Sequence, residues 1–183
     1  ETAEIYKKAM LQKMFPQKGE KVPRVRFEGF SGDWEGRKVE ELSQKNFGGG
    51  TPSTKNEKYW KGNIPWIQSS DIQTECILKV SPTKYINDLA IKNSAARVIP
   101  KSSIAIVTRV GVGKLAMVNF DYATSQDFLS LSYLKYDPLF SLYSLYVLLQ
   151  SEKDKVQGTA IKGITKADLL KKNILMPINE KEQ

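Results

Sequence analysis

The first fifteen residues have the pattern of an amphipathic helix. Apolar residues recur there at spacings of three and four on one predicted face, and Pro16 ends the pattern. The members of that face are Ala3, Tyr6, Met10 and Met14. Nothing resembling an N-cap precedes them, so an ordinary N-terminal helix and the tail of a longer helix both stay open. Residues 16–23 are polar and rich in turn formers, which predicts a linker.

A second helix is predicted by a capping signal followed by an apolar run. Asp137 is an acidic N-cap, Pro138 takes the first helical position, and residues 139–150 are apolar on nearly all sides. Such a helix is expected to pack against several neighbours. Shorter helices are predicted behind four capping residues: Thr54 before 55–60, Asn87 before a helix to about Ala96, Thr165 before 166–172, and Asn179 before the end at Gln183.

Short apolar runs predict strands in the middle of the chain. Residues 103–108 and 115–118 flank the glycine-rich segment 109–114, which predicts a hairpin. Residues 128–134 alternate between apolar and polar, which is typical of a half-buried strand. Further strands are predicted at 79–85, at 174–177, and at 64–67, where Pro65 favours an edge position. The predicted core anchors near the start are Phe27, Phe30 and Trp34. We therefore expect a mixed α/β fold, rich in strands, with an N-terminal helical stub.

The composition removes several kinds of catalysis. The chain of 183 residues contains no histidine and one cysteine, Cys76. Histidine-dependent triads, imidazole metal sites, intrachain disulfides and cysteine-based zinc sites are therefore excluded. We expect no cofactor and no metal. No apolar run approaches the roughly 20 residues of a membrane helix, and a lone cysteine fits a reducing compartment, so a cytoplasmic protein is expected.

The charge is basic and unevenly distributed. Lys and Arg total 28 against 20 Asp and Glu, a net charge of +8. Residues 44–116 hold 11 basic and 4 acidic residues and so carry a net charge of +7, which leaves +1 for the rest. Clustered cations attract phosphates over a long range, so this segment is expected to face a polyanion.

Motifs for nucleotide and metal chemistry are incomplete. The run that ends in Gly113 and Lys114 lacks the glycine and the hydroxyl residue that a P-loop requires, since positions 108 and 115 are Thr and Leu. A metal-dependent nuclease built on Asp71, Asp127 and Lys114 stays open, although no spacing demands it.

The basic segment has the mixture of residues that a DNA-reading surface uses. Cations suit phosphates, while Gln, Ser, Thr and Arg serve both phosphates and base edges. The predicted DNA-binding residues are Thr51, Ser53, Lys55, Lys58, Lys61, Gln68, Ser69, Ser70, Arg109, Lys114 and Gln126. The alternative is a single-strand or RNA-binding module that stacks bases on Tyr59, Trp60 and Trp66.

An ordered string of motifs also carries a family resemblance. The central motifs are residues 48–54 (GGGTPST), 59–67 (YWKGNIPWI) and 70–72 (SDI). The others are 11–16 (LQKMFP), 27–30 (FEGF), 33–35 (DWE), 109–116 (RVGVGKLA), 125–127 (SQD), 163–169 (GITKADL) and 177–183 (PINEKEQ). Together they resemble a target recognition domain of the DNA specificity subunit of type I restriction-modification systems.

The resemblance implies a function and a domain organisation. Residues 24–178 would be a recognition domain, 1–23 the end of a spacer helix with its linker, and 179–183 the start of the next spacer helix. Such a domain binds a duplex DNA sequence without catalysis of its own. It directs adenine methylation by modification subunits, and a restriction subunit joins the full complex. A glycine loop shared by domains that read different sequences would be scaffold or would position phosphates. Base reading is then expected at 68–75, 84–93 or the hairpin tip.

Overall fold

The computed structural model describes residues 2–74, 76–109, 113–155 and 163–183. The strands are β1 (Glu35–Lys38), β2 (Ser43–Gly48), β3 (Ile64–Ile67), β4 (Lys84–Ile86), β5 (Ser103–Val107), β6 (Leu115–Val118), β7 (Ala123–Thr124), β8 (Phe128–Leu134) and β9 (Asn173–Met176). The α-helices are α1 (Thr2–Met14), α2 (Asp88–Lys92), α3 (Pro138–Lys155) and α4 (Lys166–Leu170). Within these described residues, 3-10 turns lie at Val39–Leu42, Glu57–Trp60, Ser69–Asp71 and Glu180–Glu182. The expected mixed α/β fold with an N-terminal helix is confirmed.

Three sheets organise the strands. The largest has the order β2-β8-β5-β6 and is antiparallel throughout, the second has the order β4-β3-β7, and β1 pairs with β9. The predicted pairing of β5 with β6 is confirmed, with Ser103 opposite Val118 and Ile106 opposite Leu115. Residues 110–112 of the predicted hairpin tip lie outside the described residues.

The four-stranded sheet is buried on both faces. Along β5, Ile104 and Ile106 point into a core shared with α3, while Ala105 and Val107 point into a second core on the other face. The prediction that β8 is half-buried was therefore wrong, because all residues from Phe128 to Ser132 are buried. The buried polar side chains of its alternating pattern form hydrogen bonds, such as the one that Ser130 Oγ accepts from the Tyr122 hydroxyl at 3.0 Å.

The strand β3 is central in its sheet, which corrects the edge position that Pro65 suggested. It pairs with β4 on one side and with β7 on the other. Pro65 is tolerated because the ladder with β7 involves only Trp66 and Ile67 and so begins after the proline. The strand predicted at 79–85 is shorter than expected, since β4 covers only Lys84–Ile86.

The N-terminal segment packs against α3 through aromatic side chains. Phe15, just after α1, lies 6.2 Å from the Trp34 ring and 5.5 Å from the Phe140 ring, measured between centroids. Trp34 is a core residue, as predicted. Phe27 is not, because its side chain is 67% exposed, and Tyr6 on the predicted face of α1 is equally exposed.

Capping differs from the prediction at several of the short helices and turns. Asn56, not Thr54, caps the 3-10 turn that leads to Trp60. Asn87 caps α2 as predicted, although α2 ends at Lys92. Asn179 caps a 3-10 turn instead of an α-helix, and Glu182 in that turn accepts hydrogen bonds from Arg26 and Trp34. Within the described ranges, no helix is both long and apolar enough to cross a membrane.

Candidate nucleic-acid interface

The ends of several strands meet at one end of the two larger sheets. Gly48 at the end of β2 pairs with Leu129, and Val107 at the end of β5 pairs with Phe128. The second sheet joins this end because Gly50 N, two residues after β2, donates to Thr124 O in β7 at 2.9 Å, and Ser125 N, just after β7, donates to Ile67 O at the end of β3. The loops that follow β2, β3, β5 and β7 therefore emerge close together.

This arrangement gathers six of the predicted DNA-binding residues, which we call the strand-end cluster. Its members are Thr51, Gln68, Ser69, Arg109, Lys114 and Gln126. The Thr51 hydroxyl donates to Gln126 Oε1, and Lys114 Nζ donates to Ser69 O at 3.2 Å. Arg109 follows Thr108, whose N–H and hydroxyl both donate to Asp127 O. Residues from five separate segments thus form one polar surface.

The glycine loop is held against neighbouring backbone. A Cβ on Gly49 would lie 1.9 Å from Ser125 O, and a Cβ on Gly50 would lie 2.4 Å from Ala95 O. Gly50 N also donates to Thr124 O, and Trp66 Nε1 donates to Gly50 O at 3.0 Å. The absence of side chains at these two positions allows close packing of the loop, which places Thr51 beside Gln126.

The remaining predicted residues lie on neighbouring segments. The Ser53 carbonyl oxygen accepts a hydrogen bond from Trp60 Nε1 at 3.2 Å, and the Ser53 side chain is exposed. Ser70 is exposed on the turn after β3. Lys55, Lys58 and Lys61 are all exposed around the 3-10 turn Glu57–Trp60. These side chains are accessible to a ligand, but no contact among the described residues ties them to the strand-end cluster.

Asn87 fixes the backbone of the lysine-bearing segment. Its Oδ1 caps α2 by accepting from Ala90 N at 3.0 Å. Its Nδ2 donates to Lys58 O at 2.7 Å and to Lys61 O at 3.3 Å. One side chain thus links α2 to the turn that presents two of the predicted phosphate-binding lysines.

The Asn87→Ala substitution is expected to lower the free energy of unfolding by about 2 kcal/mol, because it removes a helix cap and two further hydrogen bonds. Asn87→Asp is the matched control, since a carboxylate keeps the cap but cannot donate to the two carbonyls. Its expected loss is about 1 kcal/mol. Urea unfolding of both variants measures the two losses. Equal losses would show that the cap on α2 contributes nothing, and an unchanged stability of Asn87→Asp would show that the bonds to Lys58 O and Lys61 O contribute nothing.

Lys166 is a candidate residue that the reasoning from residue types missed. Its Nζ lies 3.0 Å from the position that a Cβ on Gly48 would take, so it reaches the strand-end cluster from α4. Burial, and secondly the charge of Arg109, lower the pKa of its amine, while Asp127 acts in the opposite direction. A second cation beside Arg109 suits a phosphate. The available signal was the motif at 163–169, which contains this lysine.

The lowered pKa of Lys166 makes stability depend on pH in a defined direction. Near the ordinary value of 10.5, the unfolded chain holds more protons at this site than the folded chain does. Stability should therefore rise with pH as 10.5 is approached from below, and Lys166→Met should remove that rise. Burial raises the pKa of the Tyr122 hydroxyl, which makes stability fall above 10. The difference in unfolding free energy between wild type and Lys166→Met isolates the lysine, and a flat difference would contradict the prediction.

Each alternative function loses one of its residues to a structural role. Trp66 is buried, and its ring packs edge-on against Trp60 with centroids 5.0 Å apart, so it is not an open stacking platform. The Asp71 carboxylate accepts from Gln68 N at 2.9 Å and from the Thr83 hydroxyl at 2.8 Å. Among the described residues, no three acidic or cysteine side chains form a group that could hold a metal ion.

Comparison with known proteins identifies relatives of this chain. The specificity subunit of the type I restriction enzyme MjaIX from Methanocaldococcus jannaschii is 29% identical over 158 residues, which cover 82% of this chain and 36% of that protein. The EcoR124I/EcoR124II specificity subunit from Escherichia coli is 39% identical over 69 residues, which cover 37% of this chain and 17% of that protein. The chain therefore spans well under half the length of these relatives.

Solved structures share the fold. The HsdS subunit from Thermoanaerobacter tengcongensis matches 96% of this chain and 40% of its own, with a TM-score of 0.62 and 19% identity. A chain from a structure that concerns complex assembly and conformational transition of the type I R-M system matches 99% of this chain and 42% of its own, with a TM-score of 0.67 and 19% identity.

The family profile described as the type I restriction modification DNA specificity domain matches residues 31–183. That range contains the glycine loop, the strand-end cluster and the lysine-bearing turn. Since the match extends over most of the sequence, the chain belongs to the family of type I restriction-modification DNA specificity domains.

Proposed function

We propose that this chain binds one specific duplex DNA sequence on behalf of a type I restriction-modification system. The observation that carries the proposal is the strand-end cluster, which gathers hydroxyl, amide and cationic side chains at one end of a domain of this family. Such a mixture can neutralise phosphates and also form hydrogen bonds to base edges. In this proposal the domain carries no catalytic group of its own.

The proposed partners follow from the family and its relatives. Modification subunits would methylate adenine at the site that this domain selects, and a restriction subunit would join the full complex. The extrusion and methylation of the target base would then occur outside this chain. We also propose a cytoplasmic location, where the DNA and these subunits meet.

The proposed division of the chain keeps three parts. Residues 24–178 form the recognition domain, residues 1–23 belong to a spacer helix and its linker, and residues 179–183 lead toward another spacer helix. The N-terminal part is anchored on the domain, because Val25 N donates to Lys13 O at 3.0 Å and Phe15 packs on Trp34 and Phe140. This contact would hold the spacer at a defined angle to the recognition surface.

Selection from random duplex DNA tests the proposed function. The chain, alone and together with its modification subunits, is incubated with a duplex library that has a randomised window, and the bound DNA is sequenced. We expect one enriched sequence. Competition with single-stranded DNA and RNA of the same sequence is the control, and we expect the duplex to win. A preference for single strands over every duplex would instead support the stacking alternative.

A further inference from the structure

A chain of hydrogen bonds holds the side-chain amide of Gln68, a member of the strand-end cluster, at both its oxygen and its nitrogen. Lys84 Nζ donates to Gln68 Oε1 at 3.2 Å, and Gln68 Nε2 donates to Thr83 Oγ1 at 3.4 Å. Thr83 in turn donates to Asp71 Oδ1 at 2.8 Å. Asp71 is buried, whereas Thr83 and Lys84 are exposed and Gln68 is partly exposed. A buried carboxylate thus supports a surface amide through one intervening hydroxyl.

Chemistry fixes the direction of every bond in this chain. An ionised carboxylate only accepts, so the Thr83 hydroxyl must give its proton to Asp71 and can only accept from Gln68. An ammonium only donates, so the oxygen of the Gln68 amide must face Lys84. Both constraints select the same orientation of the amide. Gln68 is therefore preorganised, and a ligand that it binds does not have to order it.

Lys84 is itself held in place over an aromatic surface. The register of β3 with β4 places it opposite Trp66, and its Nζ lies 5.7 Å from the Trp66 ring centroid and 5.9 Å from that of Trp60. Cation–π attraction of this kind restricts a long side chain. Lys84, both tryptophans and Thr83 line an open cleft of about 690 Å³, which reaches Thr51 in the glycine loop.

The groups that remain available match the edge of a base. Gln68 keeps one lone pair on Oε1 and one N–H on Nε2, and a Gln amide that offers one acceptor and one donor pairs with N6 and N7 of adenine. Lys84 keeps two N–H donors, which suit O6 and N7 of guanine. A phosphate fits this position less well, because the Asp71 carboxylate lies one hydroxyl behind the amide.

We propose that Gln68 reads an adenine in the major groove, that Lys84 contacts the neighbouring base pair, and that Asp71 and Thr83 are positioning residues that hold the Gln68 amide. The inference rests on the proposed function, since it assigns sequence reading to one part of a DNA-binding surface. Within the ranges 68–75 and 84–93 that the sequence suggested for base reading, it assigns roles to Gln68, Asp71 and Lys84, and it adds Thr83. The lysines at 55, 58 and 61 keep a separate, sequence-independent role on phosphates.

Selection from the random duplex library, repeated with variants, tests this assignment. Gln68→Ala is expected to lose the preference for adenine at one position and to retain the preferences elsewhere. Wild type should bind the selected duplex about 10- to 100-fold more tightly than a duplex in which that one base pair is changed. Gln68→Ala should bind both duplexes with about the same affinity. Lys84→Met should change the preference at the adjacent position, whereas Lys135→Met, which removes a lysine beyond the opposite end of β8, should change none.

The positioning role has its own matched pair. Thr83→Val removes the hydroxyl with little change in shape and should broaden the preference at the same position as Gln68→Ala. Thr83→Ser keeps the hydroxyl and should therefore keep the wild-type preference at that position. Asp71→Asn should behave like Thr83→Val. A merely structural role would instead weaken binding to all sequences alike, and Thr83→Val and Thr83→Ser would not differ in preference.

Two negative outcomes are distinguishable. If wild type enriches no sequence, alone or with its modification subunits, the proposed function fails and this inference falls with it. If wild type enriches a sequence and Gln68→Ala enriches the same one with the same discrimination, the inference is overturned while the proposed function stands. A uniform loss of affinity in Gln68→Ala would also overturn it, because that is the behaviour of a phosphate contact.

Discussion

The Gly49→Ala substitution is expected to lower the free energy of unfolding by about 3 kcal/mol. The added methyl would lie 1.9 Å from Ser125 O and 2.6 Å from Thr124 O, and both atoms belong to backbone that is fixed by pairing with β3. Neither oxygen can rotate away as the tip of a flexible side chain could. The glycine loop must therefore move as a whole, and Thr51 would leave Gln126. Urea unfolding measures the stability loss, and DNA binding under folding conditions should fall as well.

Gly36→Ala is the matched control for this prediction. Gly36 lies in β1, and a Cβ there would meet nothing within 4 Å. Neither glycine has a positive φ, so the two substitutions differ in steric crowding and not in backbone strain. We expect Gly36→Ala to change stability by less than about 1 kcal/mol. Equal effects of the two substitutions would show that the close approach of Gly49 to Ser125 does not limit the loop.

The sequence predicts most elements of this fold because their signals are local. Asp137 with Pro138 marks the start of α3, Asn87 caps α2 and Thr165 caps α4, and each uses a side chain within three residues of the backbone it bonds. The spacing of apolar residues is equally local. The predictions that failed depend on long-range packing. Nothing near Phe27 indicates that its ring is left exposed, and nothing near Pro65 reveals that β7 pairs beside it.

The same distinction between local signals and long-range packing applies to the candidate site. Residue types identify Arg109, Lys114 and Gln68 as suitable for DNA, but their proximity depends on sheet order. Lys166 reaches Gly48 from more than one hundred positions away in the sequence, so only the fold brings it to the cluster. Thr83 and Lys84 likewise gain their role from the pairing of β3 with β4. Composition identifies a basic segment, and the sheets determine which of its side chains act together.

Replacing Lys55, Lys58 and Lys61 together by alanine is expected to flatten the salt dependence of DNA binding by about 2.7 in the slope of log K against log salt, because each lysine on a phosphate releases about 0.9 counterion. Over a fourfold increase in salt, wild type should then lose about 40-fold more affinity than the triple variant. The three side chains are exposed, so the change should leave the core unaltered. Fluorescence anisotropy with one labelled duplex at several salt concentrations measures both quantities.

The control for this prediction removes the same charge elsewhere. Lys135, Lys171 and Lys181 are also exposed, and they lie outside the basic segment 44–116. If only net charge mattered, both triple variants would bind alike, since long-range attraction depends on the summed charge. Phosphate contact instead requires the lysines around the turn Glu57–Trp60 to lie on the DNA, so only their loss should reduce the slope. The two sets thus separate a local contact from a general basic surface, and an equal reduction by both would exclude the turn as a phosphate-binding element.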